Sequence, residues 1–286
     1  MLYEKCLSPT PVHQSSIGVR FKREDLFKPF EDSPVNGTKL RQCIWLVKNL
    51  SAGKKRVVSA ASVRSPQLAM AAKVSKEFGK ECVLFVGSSN LEAAKKNPMV
   101  KLADEYGAHF NQAPCPFNSA LQKTARDFVQ EGDYFLEYGI STTQPDHWKD
   151  FYSFGGLATA NIPQDIEKII IPAGSCNSVL SLLIGLYNSD RLFDFEYHLV
   201  GVGPSKYQML MERFEHVTQT PLPEDKITYD DLHGVYQYSD SVPFSLEGIN
   251  FHPTYEGKVM THLFNNRRDF LHNDKNLFWI VGGEVK

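Results

Sequence analysis

Short apolar strand patterns alternate with helix-period stretches from about residue 40 onward, and this alternation limits the possible folds more than any other feature. Arg56-Val57-Val58-Ser59-Ala60 and Cys82-Val83-Leu84-Phe85-Val86 are near-continuous apolar runs of strand length, the second closed by Gly87. Between them Gln67-Leu68-Ala69-Met70-Ala71-Ala72 predicts a small-residue helix, and further helices are expected over 98–106 and 119–129. The pattern resumes past residue 151. Ile169-Ile170-Ile171-Pro172 and His198-Leu199-Val200-Gly201-Val202-Gly203 predict strands, with a strongly apolar helix over 179–187 between them. A helix over 257–272 precedes a last strand, Leu277-Phe278-Trp279-Ile280-Val281-Gly282-Gly283. Strands that are apolar throughout, spaced by helices, imply parallel sheets covered by helices, an α/β fold. Residues 214–250, rich in Pro, Asp, Gly and Tyr, predict no regular element.

The first 30 residues are of another kind. A Pro-punctuated segment, Ser8-Pro9-Thr10-Pro11-Val12, leads to a short strand pattern, Ile17-Gly18-Val19-Arg20-Phe21, and then to the charged Lys22-Arg23-Glu24-Asp25-Leu26. Residues 27–36, with Pro29 and Pro34, predict a loop.

The 286 residues suffice for one large or two modest domains. A formal net charge of −2 gives no global basic field for nucleic acid or an anionic membrane. No apolar run approaches the roughly 20 residues that span a bilayer, and Met1-Leu2-Tyr3-Glu4-Lys5 lacks the apolar stretch of a secretory signal. The five cysteines (Cys6, Cys43, Cys82, Cys115, Cys176) show no CxxC spacing, so reduced thiols are expected rather than disulfides or a metal site. The expected compartment is the cytoplasm.

Three stretches carry chemistry. In Asn36-Gly37-Thr38-Lys39 a lysine follows a Gly turn and opens a helix pattern, with Leu40, Cys43, Ile44 and Val47 at i, i+3, i+4 and i+7. Held at a rigid corner, Lys39 can lose water, lower its pKa and form a Schiff base with a carbonyl; the alternative is a solvated helix-start lysine. Gly174-Ser175-Cys176-Asn177-Ser178 lies between a strand and a helix, where backbone N–H groups and the helix dipole suit a phosphate; the alternative is an ordinary structural turn. It is neither a Walker loop nor a GxGxxG fingerprint. In His252-Pro253-Thr254-Tyr255-Glu256-Gly257-Lys258 the acid Glu256 is either an ionised partner for a cationic ring nitrogen or part of a loop tip.

A lysine for a Schiff base, a phosphate cup and a carboxylate for a pyridine nitrogen are what pyridoxal 5′-phosphate (PLP) requires. Their order resembles the fold type II, tryptophan-synthase-β-like superfamily of PLP enzymes. The nearest branch is that of 1-aminocyclopropane-1-carboxylate (ACC) deaminases and D-cysteine desulfhydrases. That branch opens with a Thr-Pro segment, like Thr10-Pro11, and a strand into Lys-Arg-Glu-Asp-Leu, here 22–26. Its Gly-Asn-Lys motif corresponds to Gly37-Thr38-Lys39, and its Gly-Ser-Gly-Gly-Thr phosphate loop to 174–178. Its Asp-Pro-x-Tyr-Glu-Gly-Lys matches 252–258 with the first residue changed, and its closing Gly-Gly strand matches 278–283.

The resemblance implies two open parallel-sheet, three-layer domains with PLP in the cleft between them. Residues 1–40 plus 150–286 would form the larger, PLP-binding domain and 41–149 the smaller one. It implies Lys39 and Tyr255 as catalytic residues. Lys39, Gly174, Ser175, Cys176, Asn177, Ser178, Glu256 and Ser65 would hold the cofactor, with no metal. The family's Ser-Asn-His/Gln-Thr loop has its counterpart in Ser62-Val63-Arg64-Ser65-Pro66-Gln67, which makes Ser62, Arg64 and Ser65 the substrate-binding set. Arg64 either binds a carboxylate or phosphate or lies on the surface. The two inner glycines of the phosphate loop are replaced by Cys176 and Asn177, of which Asn tolerates left-handed backbone. The implied activity is PLP-dependent deaminase or lyase chemistry at Cα of a small-molecule amino acid, in a homodimer. Two alternatives remain. One is a decarboxylase or lyase for an amino acid tethered to a larger molecule, such as a modified thymine in phage DNA. The other is a catalytically degenerate PLP-binding relative.

Overall fold

The computed structural model describes residues 2–113, 118–237 and 240–283; Cys115 lies outside them. In chain order the strands are β1 (Val12–Gln14), β2 (Arg20–Arg23), β3 (Arg56–Ala61), β4 (Glu81–Gly87), β5 (His109–Ala113) and β6 (Asp133–Leu136). They continue with β7 (Lys168–Ala173), β8 (Glu196–Gly201), β9 (Ile227–Asp231), β10 (Phe244–Leu246), β11 (Ile249–Phe251) and β12 (Asn276–Ile280). The fold is α/β with parallel sheets, and the described residues divide into two compact units.

One unit takes in the chain up to Pro29, Asn36–Lys39 and the residues from Trp148 on. Its sheet runs β1-β2-β12-β7-β8-β9, parallel except for β1 against β2. Ile169, Ile170 and Ile171 of β7 and Leu277, Phe278 and Trp279 of β12 are all buried, as strands covered on both faces must be. Phe21, Phe251 and Phe278 meet edge to face at the core, with ring centroids 5.7–6.0 Å apart. The helices Trp148–Gly156 and Asn177–Asn188 come so close that a Cβ on Gly185 would lie 2.5 Å from the Gly156 carbonyl oxygen.

The other unit comprises Phe30–Val35 and Leu40–His147. Its sheet, β5-β4-β3-β6, is parallel throughout. The Asn118–Phe128 helix sets Leu121 and Ala125 into a cluster with Val58, Ala60, Val83 and Phe85.

The charged stretch after the first strand pattern is strand as far as Arg23 and a short 3-10 turn over Glu24–Leu26. β2 runs through Lys22 and Arg23, and Lys22 is fully buried. Its Nζ donates to the Thr10 carbonyl and to Asn161 Oδ1, both at 2.6 Å, while the Thr10 hydroxyl donates to Glu24. The Thr-Pro and Lys-Arg-Glu-Asp motifs are therefore one buried polar joint, which satisfies the charge that a strand position forced inside. Residues 214–250 also carry structure: the helix Tyr207–Thr218, the edge strand β9 and the β10–β11 hairpin. No described helix is long and apolar enough to cross a membrane.

Candidate functional site

Parallel strands deliver loops to one edge of a sheet, and ligands of open α/β sheets lie beyond that carboxyl edge. Neighbouring β7 and β12 do so here. β7 ends at Ala173 and leads into Gly174-Ser175-Cys176, with the Asn177–Asn188 helix directly behind. β12 ends at Ile280, and the next three residues tie down the other two motifs.

Glu256 opens the Glu256–Asn266 helix and is 1% exposed. Its Oε1 accepts from the backbone N–H groups of Val281 and Gly282, at 3.0 and 3.1 Å. Burial pushes the carboxyl up to about 7, although those N–H groups oppose the rise. Its Oε2 is buried without a hydrogen-bond partner.

The lysine turn seats on the same residues. Asn36 Oδ1 accepts from the Gly283 N–H at 2.7 Å, and the Thr38 N–H donates to the Val281 carbonyl at 2.8 Å. Gly37 has φ +100°, and a Cβ there would lie 2.6 Å from the Val281 oxygen, so the position is open only to glycine. Lys39 follows in the first turn of the Thr38–Leu50 helix. Its Nζ stands 5.8 Å from the centre of the Tyr255 ring. Desolvation lowers its pKa, while the nearby Glu256 and Cys176 groups pull it up.

Tyr255 precedes Glu256 and lies against the phosphate-type turn: a Cβ on Gly174 would meet its ring at 3.8 Å. His252 packs against its ring at 5.1 Å and accepts from the Thr254 N–H through Nδ1. Burial and the Lys39 and Lys258 charges hold His252 down at about 4, so it is neutral at physiological pH.

In the turn itself the left-handed residue is Cys176, at φ 59°, not Asn177, which starts the helix. Asn177 instead accepts from the Tyr152 hydroxyl at 3.1 Å and donates to Ser175 Oγ at 3.4 Å. Arg213 donates to the same Tyr152 hydroxyl at 2.6 Å. Ser178 Oγ is buried without a partner. Sequence reasoning missed Tyr152 and Arg213, which lie in no motif and 61 residues apart.

Lys39, Gly174, Ser175, Cys176, Asn177, Ser178, Tyr255 and Glu256 thus belong to one unit and gather at one sheet edge. Ser62, Arg64 and Ser65 belong to the other, at the end of β3. There Ser65 caps the Pro66–Glu77 helix, its Oγ accepting from the Gln67 N–H at 3.3 Å, and Arg64 is exposed.

PLP fits this donor set. A desolvated amine suits its aldehyde, a helix start with a buried unpartnered hydroxyl suits its phosphate, and a buried unpartnered carboxyl oxygen suits its ring nitrogen. Each orphaned buried polar atom costs about 1–3 kcal/mol until something satisfies it.

No family model matches the chain. The chain is 30% identical, over 332 residues, to the O-seryl-dTMP PLP-dependent decarboxylase of Salmonella phage ViI, covering 93% of this chain and 78% of that protein. Among solved structures, an ACC deaminase homologue superposes with TM-score 0.78 at 21% identity, covering 96% of this chain and 90% of that one. A PLP-dependent aspartate racemase superposes with TM-score 0.67 at 14% identity (100% and 94% covered). The L-serine ammonia-lyase of Rhizomucor miehei does so with TM-score 0.64 at 14% identity (97% and 94%). With its parallel α/β fold and this match along nearly its whole length, the chain belongs to the fold type II family of PLP-dependent enzymes.

Proposed function

We propose that the protein is a PLP-dependent lyase that removes the carboxylate from an amino acid carried on a nucleotide. The observation that carries this reading is the 30% identity to a decarboxylase of a seryl nucleotide over 93% of the chain. The likeness to deaminases of free amino acids stops at the fold, at 21% identity and below.

In this reading Lys39 holds the cofactor covalently, and the lowered pKa of its amine helps to keep it a nucleophile at neutral pH. Gly174–Ser178 hold the phosphate with backbone N–H groups and hydroxyls at a helix start. Glu256, with its unpartnered Oε2, would serve the ring nitrogen, and a cation there would draw its carboxyl back into the ionised form. The bound cofactor supplies an electron sink for the pair of electrons left at Cα. Loss of carbon dioxide leaves Cα one proton short. The Lys39 amine would be the group that returns that proton to Cα, and Tyr255, whose ring centre is 5.8 Å from Lys39 Nζ, would orient it. Ser62, Arg64 and Ser65 bind the anionic parts of the substrate.

The test is to incubate the PLP-loaded protein with O-seryl-dTMP and, separately, with free L-serine, D-cysteine and ACC. Products are followed by mass and by release of carbon dioxide and ammonia. Carbon dioxide and an amine-bearing nucleotide from the tethered substrate alone are expected. Ammonia and a 2-oxo acid from a free amino acid would return the protein to the deaminases.

A further inference from the structure

Behind the phosphate-type turn runs a chain of hydrogen bonds that all point one way. Arg213, half-buried on the Tyr207–Thr218 helix, donates from its guanidinium to the Tyr152 hydroxyl at 2.6 Å. With that oxygen accepting, the Tyr152 hydroxyl proton goes on to Asn177 Oδ1 at 3.1 Å. The far end of the same amide, Nδ2, donates to Ser175 Oγ at 3.4 Å. Ser175 Oγ receives that bond as an acceptor, so its own proton is left to donate. Ser175 is half-buried in the turn, whereas Tyr152 and Asn177 are buried.

We propose that Arg213 is a positioning residue for the cofactor phosphate, acting through Tyr152, Asn177 and Ser175 to make the turn at 174–178 a stronger anion cup. This rests on the reading above that the turn holds the phosphate. Each donor in such a series polarises the next, and the effect grows where the links are out of water. A fixed positive charge at one end and a free hydroxyl proton at the other is the order that favours an anion at the hydroxyl. The reverse order would leave Ser175 presenting a lone pair. The relay also offsets the composition of the turn, where Cys176 holds the left-handed position with a side chain that glycine would lack. Two other cations, Lys206 and Lys39, lie close enough to act on Cys176, but neither belongs to the series of bonds. Arg213 also stacks over Trp148 at 4.6 Å, which fixes the guanidinium in place.

The test uses two probes, PLP and pyridoxal, which share the aldehyde and ring and differ in the phosphate. Dissociation constants of both are measured by absorbance titration for the wild-type chain, Arg213→Gln, Tyr152→Phe and the double variant. Wild type is expected to prefer PLP strongly. Either single variant should shrink that preference by about tenfold, the scale of one charge-assisted hydrogen bond. The double variant should shrink it no further, and pyridoxal affinity should hold throughout. A folding defect would weaken both probes together, so the ratio isolates the phosphate. If Arg213→Gln does not fold, Tyr152→Phe carries the same comparison. A ratio unchanged in Tyr152→Phe, or parallel loss of both probes, overturns the relay while leaving the cup intact. A wild type that binds PLP no better than pyridoxal overturns the cup, and the relay with it.

Discussion

Glu256 offers the most direct measurement of how the site is built. In the cofactor-free protein its carboxyl is buried and rises from an ordinary 4.5 to about 7. Each pH unit of displacement is worth about 1.4 kcal/mol, so ionising Glu256 in the fold weighs against folding by about 3 kcal/mol. The sign follows from the direction. The folded state prefers the protonated acid, so the penalty is nearly absent below the unfolded pKa, grows as pH rises toward 7, and is constant above. Glu256→Gln keeps the oxygen that accepts from Val281 and Gly282 and removes the ionisation. Its amide nitrogen takes the place of the unpartnered Oε2 and lowers stability equally at every pH, so the informative quantity is the pH slope. Between pH 4.5 and 8.5 the wild type should lose about 3 kcal/mol relative to the variant. With a urea m-value near 3 kcal/mol/M, that is a relative shift of about 1 M in the unfolding midpoint. Tryptophan fluorescence reports it, since Trp148 and Trp279 belong to the same unit as Glu256. Saturating PLP should flatten the wild-type slope and leave the variant unchanged. Parallel slopes for the two cofactor-free proteins would refute the account of Glu256 as a desolvated acid awaiting a cation.

Three further outcomes are expected. Borohydride treatment of the PLP-loaded protein should fix a pyridoxyl mass on the peptide that contains Lys39, and Lys39→Ala should show none at equal PLP. Gly37→Ala places a side chain 2.6 Å from the Val281 oxygen at φ +100°, so calorimetry should show a loss of roughly 2 kcal/mol or more, about 5 °C in melting temperature. Gly185→Ala drives a methyl into the Gly156 backbone and should lower stability by about 1–3 kcal/mol, while the bound-PLP absorbance band keeps its position.

The parallel strands were legible because burial on both faces removes polar residues from them, as in Ile169-Ile170-Ile171. β9 was not, because it is an edge strand whose Thr228, Asp230 and Asp231 leave no apolar run. The β10–β11 hairpin turns at Glu247-Gly248, both at positive φ, in a geometry that normally announces itself by Asn or Asp before the Gly. β2 begins three residues past the start of the strand pattern because its Lys22 looks like surface and is core, its ammonium held by the Thr10 carbonyl and Asn161 Oδ1, 12 and 139 residues away in sequence. At the site, the order of the motifs singled out Lys39, Glu256 and the 174–178 turn, which the fold gathers at the ends of β7 and β12. The bracing of that turn depends on a tyrosine and an arginine without local pattern, visible only once helices pack.

The place of β12 bears on how the chain is made. Among the described strands it is the last to leave the ribosome, yet it lies between β2 and β7, which emerged about 250 and 100 residues earlier. Until it arrives, the sheet has an open slot flanked by exposed apolar edges, and Gly37 and Glu256 have nothing to seat on. The four-stranded sheet at 56–136 has all its strands well before then. Assembly should therefore be staged, with the nascent chain half-finished and cofactor-incompetent until one late strand threads home.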